Sequence, residues 1–157
     1  MKKLILLVFI AAACQTDDDA SKKAAAPNSI IFGHFYGECI GEKCIEIYQL
    51  TDVSLFEDTN DRYPSSVMPY DGNFQVMDNS YFEQVDDLRN EIPAELLEIE
   101  STIIGQPDAA DGGGIYFEIE IGGRQRYWLI DKMETNIPEA IRPFVQEIEG
   151  KIELLSK

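Results

Sequence analysis

Two cysteines, Cys39 and Cys44, lie close in sequence to the only histidine, His34. Thiols at such spacing either bond to each other or ligate a metal, and the redox compartment decides between the two. In an exported chain the two thiols are expected to oxidise to a disulfide. Closing so short a loop stabilises the fold by roughly 2 kcal/mol. We therefore expect a disulfide. The alternative is a metal site with His34, although the H-x4-C-x4-C spacing matches no common zinc pattern.

The third cysteine, Cys14, follows a basic start and a short apolar run. Lys2 and Lys3 precede ten apolar residues, 4–13, which end in three alanines. These are the parts of a secretory signal peptide. Ten helical residues reach only about 15 Å, against roughly 30 Å for the hydrocarbon core of a bilayer, so the run is too short to span a membrane. The sequence therefore predicts export.

With alanines directly before Cys14, the segment resembles a bacterial lipobox, in which the thiol is acylated, commonly with palmitate, and becomes the new N-terminus. The resemblance implies that residues 1–13 are a signal peptide and that the protein is a lipoprotein. Gln15 favours the outer membrane. The run Asp17–Asp19 is either a signal for display on the cell surface or a solvated tether, so the face of the membrane stays open. The alternative is an ordinary secretory signal with an incidental cysteine.

The composition of the remaining chain predicts a tether followed by a single domain, and its charge restricts the class of partner. Residues 14–28 contain no large apolar side chain, so they predict a disordered tether, and residues 29–157 suffice for a single domain. The formal net charge is −16, which repels phosphate backbones and argues against nucleic acid as a partner. Such a charge suits a cationic partner or divalent cations.

A glycine-rich segment carries two carboxylates three residues apart. Asp108 and Asp111 precede Gly112, Gly113 and Gly114. Glycines allow close backbone approach to a ligand, and carboxylate oxygens suit a hard cation such as calcium. The spacing is not that of an EF-hand, and in so acidic a chain a structural turn is the competing interpretation. Because the loop is expected at the surface, loss of either carboxylate should change fold stability little.

Alternating side chains predict most of a β-sheet. The clearest strand is 115–121, in which Ile115, Phe117 and Ile119 share a core face while Glu118 and its polar neighbours face solvent. A Gly-Gly turn leads to a return strand. The predicted strands are 30–36, 44–51, 53–57, 74–77, 115–121 and 126–131.

Two helices complete the expected α+β fold. A capping box at Ser80 opens the first helix, and Asn136 caps the second, whose apolar stripe runs from Ile137 to Leu155. Pro143 should kink or restart the second helix. The plan is hairpin then helix, occurring twice, and gives an antiparallel sheet with two helices packed on one face.

The segment 32–39, Cys44, the loop 108–114 and the helix start at 136–138 together resemble small uncharacterised bacterial lipoproteins. The resemblance brings no catalytic residue with it. Signatures of serine hydrolases, zinc proteases, P-loops and dinucleotide folds are missing from the sequence. We therefore expect a non-catalytic binding or accessory module of the cell envelope, with an envelope protein or glycan as partner. The alternative is a carboxylate-dependent hydrolase acting on cell-wall or glycan material.

Changing Cys14 to Ser should release the protein from membranes, because the serine hydroxyl does not replace the acylated thiol. Flotation of membranes on a density gradient, together with intact mass, measures this. A variant that still floats beside a wild type without acyl mass would contradict lipidation.

Overall fold

The computed structural model describes residues 27–156, so the predicted signal peptide, Cys14 and the tether residues 14–26 lie outside the described part. These residues form seven strands and three helices. The strands are β1 Ser29–Phe35, β2 Ile45–Leu50, β3 Leu55–Asp58, β4 Phe74–Val76, β5 Ile103–Ile104, β6 Gly114–Ile121 and β7 Arg124–Asp131. The helices are α1 Asn79–Phe82, α2 Ala94–Glu98 and α3 Arg142–Leu155.

One sheet contains all seven of these strands, in the order β4-β3-β2-β1-β6-β7-β5. Neighbouring strands pair antiparallel, except for β5, which pairs parallel with β7. The ladder extends one residue before β1, because Asn28 N–H donates to Glu120 O at 3.0 Å. A mixed α/β fold with a mostly antiparallel sheet is therefore confirmed. The sheet is larger than predicted and includes β5, which has only two residues.

The main core lies between one face of the sheet and α3. Side chains from the central strands, such as Phe32, Phe117 and Trp128, are almost fully buried there. The predicted apolar stripe of the last helix supplies the other half of this core, from Ile137 through Ile148 to Leu155. Every second residue of β1 and β6 points into this layer, as the alternating pattern predicts.

The last helix begins later than predicted. α3 starts at Arg142, after two short 3-10 turns at Glu134–Asn136 and Glu139–Ile141. Asn136 is not its cap, because the Asn136 amide donates to Asp131 Oδ2 at 2.7 Å instead. Pro143 lies in the first helical turn, where a missing N–H leaves no intrahelical bond unmade. The restart expected at Pro143 is thus present, and the kink is not.

The first predicted helix is also different. Asp78 caps α1 by accepting the Ser80 N–H at 2.9 Å, so the capping box at Ser80 is wrong. α1 ends at Phe82, and the core residues Val85 and Leu88 follow in irregular and 3-10 backbone. The predicted plan is a hairpin followed by a helix, occurring twice. A hairpin followed by a long helix occurs only in the second half of the chain, where β6 and β7 precede α3.

The second face of the sheet is covered as well, which overturns the expectation that it faces solvent. Tyr116 is 0% exposed and Glu118 is 3% exposed. The long connection 59–73 lies over them, and the Tyr70 N–H donates to Glu118 Oε2 at 3.1 Å. The Tyr116 hydroxyl also donates to Glu118. Periodicity within β6 gives no information on a covering loop that is distant in sequence.

Glu118 is a buried carboxylate without a cation in contact among the described residues. Burial raises its pKa above the ordinary glutamate value, although the hydrogen bonds from Tyr116 and Tyr70 oppose the shift. A raised folded-state pKa contributes stability below the unfolded-state pKa, and this contribution is lost as pH rises through the folded-state pKa. At neutral pH, ionised Glu118 therefore lowers the free energy of unfolding.

Glu118→Gln should be more stable than the wild type at pH 7, and the difference should shrink as the pH falls towards 4. The amide carbonyl accepts the same hydrogen bonds without a charge to desolvate. Thermal unfolding across this pH range measures the effect, with Glu95→Gln at an exposed position of α2 as the control. A difference that does not depend on pH would contradict the account.

Candidate functional site at the disulfide end

The predicted site residues project from one end of the sheet. β1 ends there at Phe35, which pairs with Ile45 at the start of β2 and with Gly114 at the start of β6. Gly114 in turn pairs with Asp131, the last residue of β7. The cysteines lie in the β1–β2 connection and the two aspartates lie in the β5–β6 connection. We call this end of the sheet, with its connecting loops, the disulfide end.

The two cysteines lie where a disulfide requires them. The Cys39 and Cys44 sulfur atoms are 2.02 Å apart. Cys44 is buried, whereas the rest of the loop is exposed, and Ile40 at its tip is fully exposed. Gly41 has a φ of 124°, a value that favours glycine over residues with a side chain. The bond therefore closes a short, exposed loop with an isoleucine at its tip.

His34 does not join these sulfurs in a ligand set. Its Nε2 donates to the Lys43 carbonyl oxygen at 3.0 Å and so supports the base of the disulfide loop. Burial lowers the pKa of His34, so the imidazole is neutral at pH 7. Within residues 27–156 no cluster of three or more His, Cys, Asp or Glu side chains could hold a metal ion.

Asp108 accepts hydrogen bonds from three connections of the chain. Its Oδ2 accepts the Gly37 N–H at 3.0 Å and the Tyr63 hydroxyl at 2.9 Å, and its Oδ1 accepts the Gly113 N–H at 3.1 Å. A Cβ on Gly37 would lie 2.5 Å from Oδ2, so only glycine allows this approach. Burial, together with the bond to Asp108, raises the pKa of Tyr63 to about 12. Asp108 therefore ties the loop 105–113 to the neighbouring connections.

Asp111 is exposed, and its carboxylate makes no hydrogen bond within the described residues. The two carboxylates thus have different surroundings, since the protein itself supplies donors to both oxygens of Asp108. Calcium at Asp108 and Asp111 stays a prediction. The sequence alone predicts that Asp108 contributes little to stability. Because the Asp108 carboxylate accepts three hydrogen bonds, we expect it to stabilise the fold.

Two further aspartates act in the same way. The sequence favours a polar turn at Asp58 but does not predict this role for either residue. Asp58, 4% exposed, accepts the N–H groups of Asp61 at 3.0 Å and Asn73 at 2.5 Å and the Tyr70 hydroxyl at 2.7 Å. It closes the ends of the connection 59–73. An aspartate at a strand end followed by polar turn residues is the signal that would have found it.

Asp131 closes the other side of the disulfide end. It accepts the N–H groups of Gln106 and Met133, each at 2.8 Å, and the Asn136 amide at 2.7 Å. Burial alone would raise its pKa, but these hydrogen bonds outweigh burial and hold the pKa of Asp131 below its usual value. The carboxylate is therefore ionised at neutral pH and fixes the start of the loop 105–113.

A small cleft of about 170 Å³ lies beside these loops, between the sheet and α3. The Lys132 ammonium lies 3.3 Å from Glu149 Oε1 and 4.8 Å from the centre of the Tyr36 ring. Burial alone would lower the pKa of Lys132, but Tyr36 and Glu149 outweigh it and raise the pKa. A nucleophilic lysine requires a lowered pKa. Lys132 is therefore a charged, paired group suited to binding.

No protein-family model matches this chain, and no curated protein matches it significantly. The resemblance to small bacterial lipoproteins therefore stays a prediction.

Asp108→Asn should lower the free energy of unfolding by about 1–3 kcal/mol, because the side-chain amide directs N–H groups at donors that lose their acceptor. Asparagine tolerates the left-handed φ of 61° at this position, so backbone strain does not contribute. Asp111→Asn, at a φ of 62°, is the matched control and should change stability little. Urea unfolding in the presence of a chelator measures both. Equal stability of the two variants would contradict the structural role of Asp108.

Proposed function

We propose that the chain is a lipoprotein anchored through Cys14 in the outer membrane, and that its domain is a non-catalytic binding module of the cell envelope. The partner is an envelope protein or a glycan. The disulfide end is the recognition surface.

The N-terminal pattern and the cysteine pair support the location independently of each other. A basic start, ten apolar residues and alanines before Cys14 favour export and acylation. A cysteine pair at bonding distance suits an oxidising compartment.

The observation that carries the binding role is where the chain joins the domain. β1 begins at Ser29 and ends at Phe35, next to the disulfide loop. Seven strand residues span about 20 Å. An anchor that precedes Ser29 therefore joins the sheet at the end of the strands opposite the disulfide end. The disulfide end is therefore about 20 Å from the point where the tether joins the sheet, which favours its access to a partner.

The side chains of the disulfide end suit recognition better than turnover. The carboxylates of Asp58, Asp108 and Asp131 each accept three hydrogen bonds from the protein, which orders the loops before a partner binds. A carboxylate-dependent hydrolase instead needs two acids directed at a substrate. The fully exposed Ile40 and the half-exposed Tyr63 supply apolar contact area there.

A photo-crosslinking residue at Ile40, tested in intact cells, should give a discrete adduct with an envelope component. The same residue at Val53 is the matched control. Val53 is an exposed aliphatic residue in the β2–β3 turn, at the opposite end of the strands. Adducts that are the same at both positions, or absent from both, would contradict the recognition surface.

Incubation of the purified protein with peptidoglycan or envelope glycans tests the catalytic alternative. The account predicts no hydrolysis. Hydrolysis that is lost on changing one carboxylate would contradict the non-catalytic role.

A further inference from the structure

A second concave surface is lined by residues outside the disulfide end. It is a groove of about 410 Å³ between the first turns of α3 and the segment 87–93. Its acidic residues are Asp87, Glu91 and Glu147, and its apolar lining includes Pro93 and Phe144. None of its lining residues is shared with the cleft beside Lys132. We call it the acidic groove.

The protein already binds one of its own ammonium groups between two of these carboxylates. Lys151 Nζ lies 2.8 Å from Asp87 Oδ1 and 3.4 Å from Glu147 Oε1, and it donates to the Gln84 carbonyl at 2.9 Å. The Lys151 side chain is only 11% exposed, whereas the two carboxylates are about half exposed. Lys151 contacts both oxygens of Asp87, because its Nζ also donates to Oδ2 at 3.0 Å. Oε2 of Glu147 forms no hydrogen bond or ion pair within the described residues and stays open towards the groove.

The charge of the acidic groove is not balanced from within. Glu91 forms no ion pair in the described residues, so three carboxylates face the single ammonium of Lys151. Arg89 and Arg142 come from the same segments but are not among the residues that line the groove. The negative charge of the whole chain adds to this local excess and steers cations towards it.

The apolar lining selects among cations. Phe144 packs edge-on against Phe117, with ring centres 5.0 Å apart, and it is 5% exposed, so its ring forms a fixed, mostly buried part of the groove. Pro93 and Pro143 add rigid apolar surface. A bare metal ion gains nothing from such surface, whereas an alkyl stem that ends in a charge buries methylenes and keeps its head group on the carboxylates.

From this combination we propose that the acidic groove binds the lysine or arginine side chain of a basic segment in a partner polypeptide. The methylene stem lies against Phe144 and the two prolines, and the cationic head group bonds to Glu91 and to Oε2 of Glu147. The site is independent of lipid anchoring and of the disulfide end, so either proposal stands if the other fails.

The probe is lysine with both backbone ends capped, N-acetyl-lysine methylamide, compared with the norleucine compound, which has the stem without the charge. Chemical shifts of the full chain, recorded by NMR as each compound is added, measure the affinity. The lysine compound should shift the amides of residues 87–93 and 140–147 and saturate, with a Kd about tenfold below that of the norleucine compound. Equal affinity for both compounds would overturn the proposed cation site.

Three variants separate the acidic groove from the diffuse charge of the surface. Glu91→Gln should weaken binding about threefold or more, and Ala140→Arg should abolish it because the new guanidinium occupies the groove. Asp52→Asn makes the same change in net charge at an exposed position in the β2–β3 turn that does not line the groove, and it should leave the Kd within about twofold, because exposed charges that do not contact the ligand are largely screened by water and salt. Unfolding curves that match the wild type establish that each variant is folded. Equal weakening by Glu91→Gln and Asp52→Asn, or undiminished binding to Ala140→Arg, would overturn the proposal.

Discussion

Three aspartate carboxylates hold the connections of this domain in place, and each does so by accepting hydrogen bonds from the polypeptide. Asp58 closes the connection 59–73, Asp131 fixes the start of the loop 105–113, and Asp108 joins that loop to Gly37 and Tyr63. Hydrogen bonds to a charged acceptor are stronger than those between neutral groups. Long connections without regular structure thereby become ordered parts of the fold.

The ordering of these connections lets both faces of the sheet be covered. α3 packs on one face, and the connection 59–73 packs Tyr70 against Tyr116 on the other, with ring centres 5.6 Å apart. The two kinds of buried carboxylate respond to pH in opposite directions. The contribution of Asp131, whose pKa is lowered, is present above the unfolded-state pKa and is lost as pH falls through the folded-state pKa. The contribution of Glu118, whose pKa is raised, is lost as pH rises.

Local patterns in the sequence predict the strands and the apolar stripe of α3 well, because each depends on neighbours within the same element. Alternation in 115–121 identifies β6 to within one residue. The start of α3 is missed because the Asn136 side chain bonds to Asp131 instead of capping a helix. β5 is too short for any periodicity, and its two residues are ordered by pairing with β7.

The site is harder to predict, because it is assembled from residues distant in sequence. The proximity of Cys39 and Cys44 follows from their spacing alone. The composition of the loop 105–114 draws attention to Asp108, but its donors include Gly37 and Tyr63, which lie 71 and 45 residues away. Without those partners the same carboxylate suggests a calcium ligand. The acidic groove likewise joins α3 to a segment at least 50 residues earlier in the chain.

Amide hydrogen exchange tests most directly whether the aspartates order these loops through polypeptide donors. The account predicts slow exchange, in the presence of a chelator, for the backbone N–H groups of Gly37, Asp61, Asn73, Gln106 and Gly113, each of which donates to one of the three carboxylates. Exchange of these amides at the rates of an unstructured peptide, or protection that arises only when calcium is added, would contradict it.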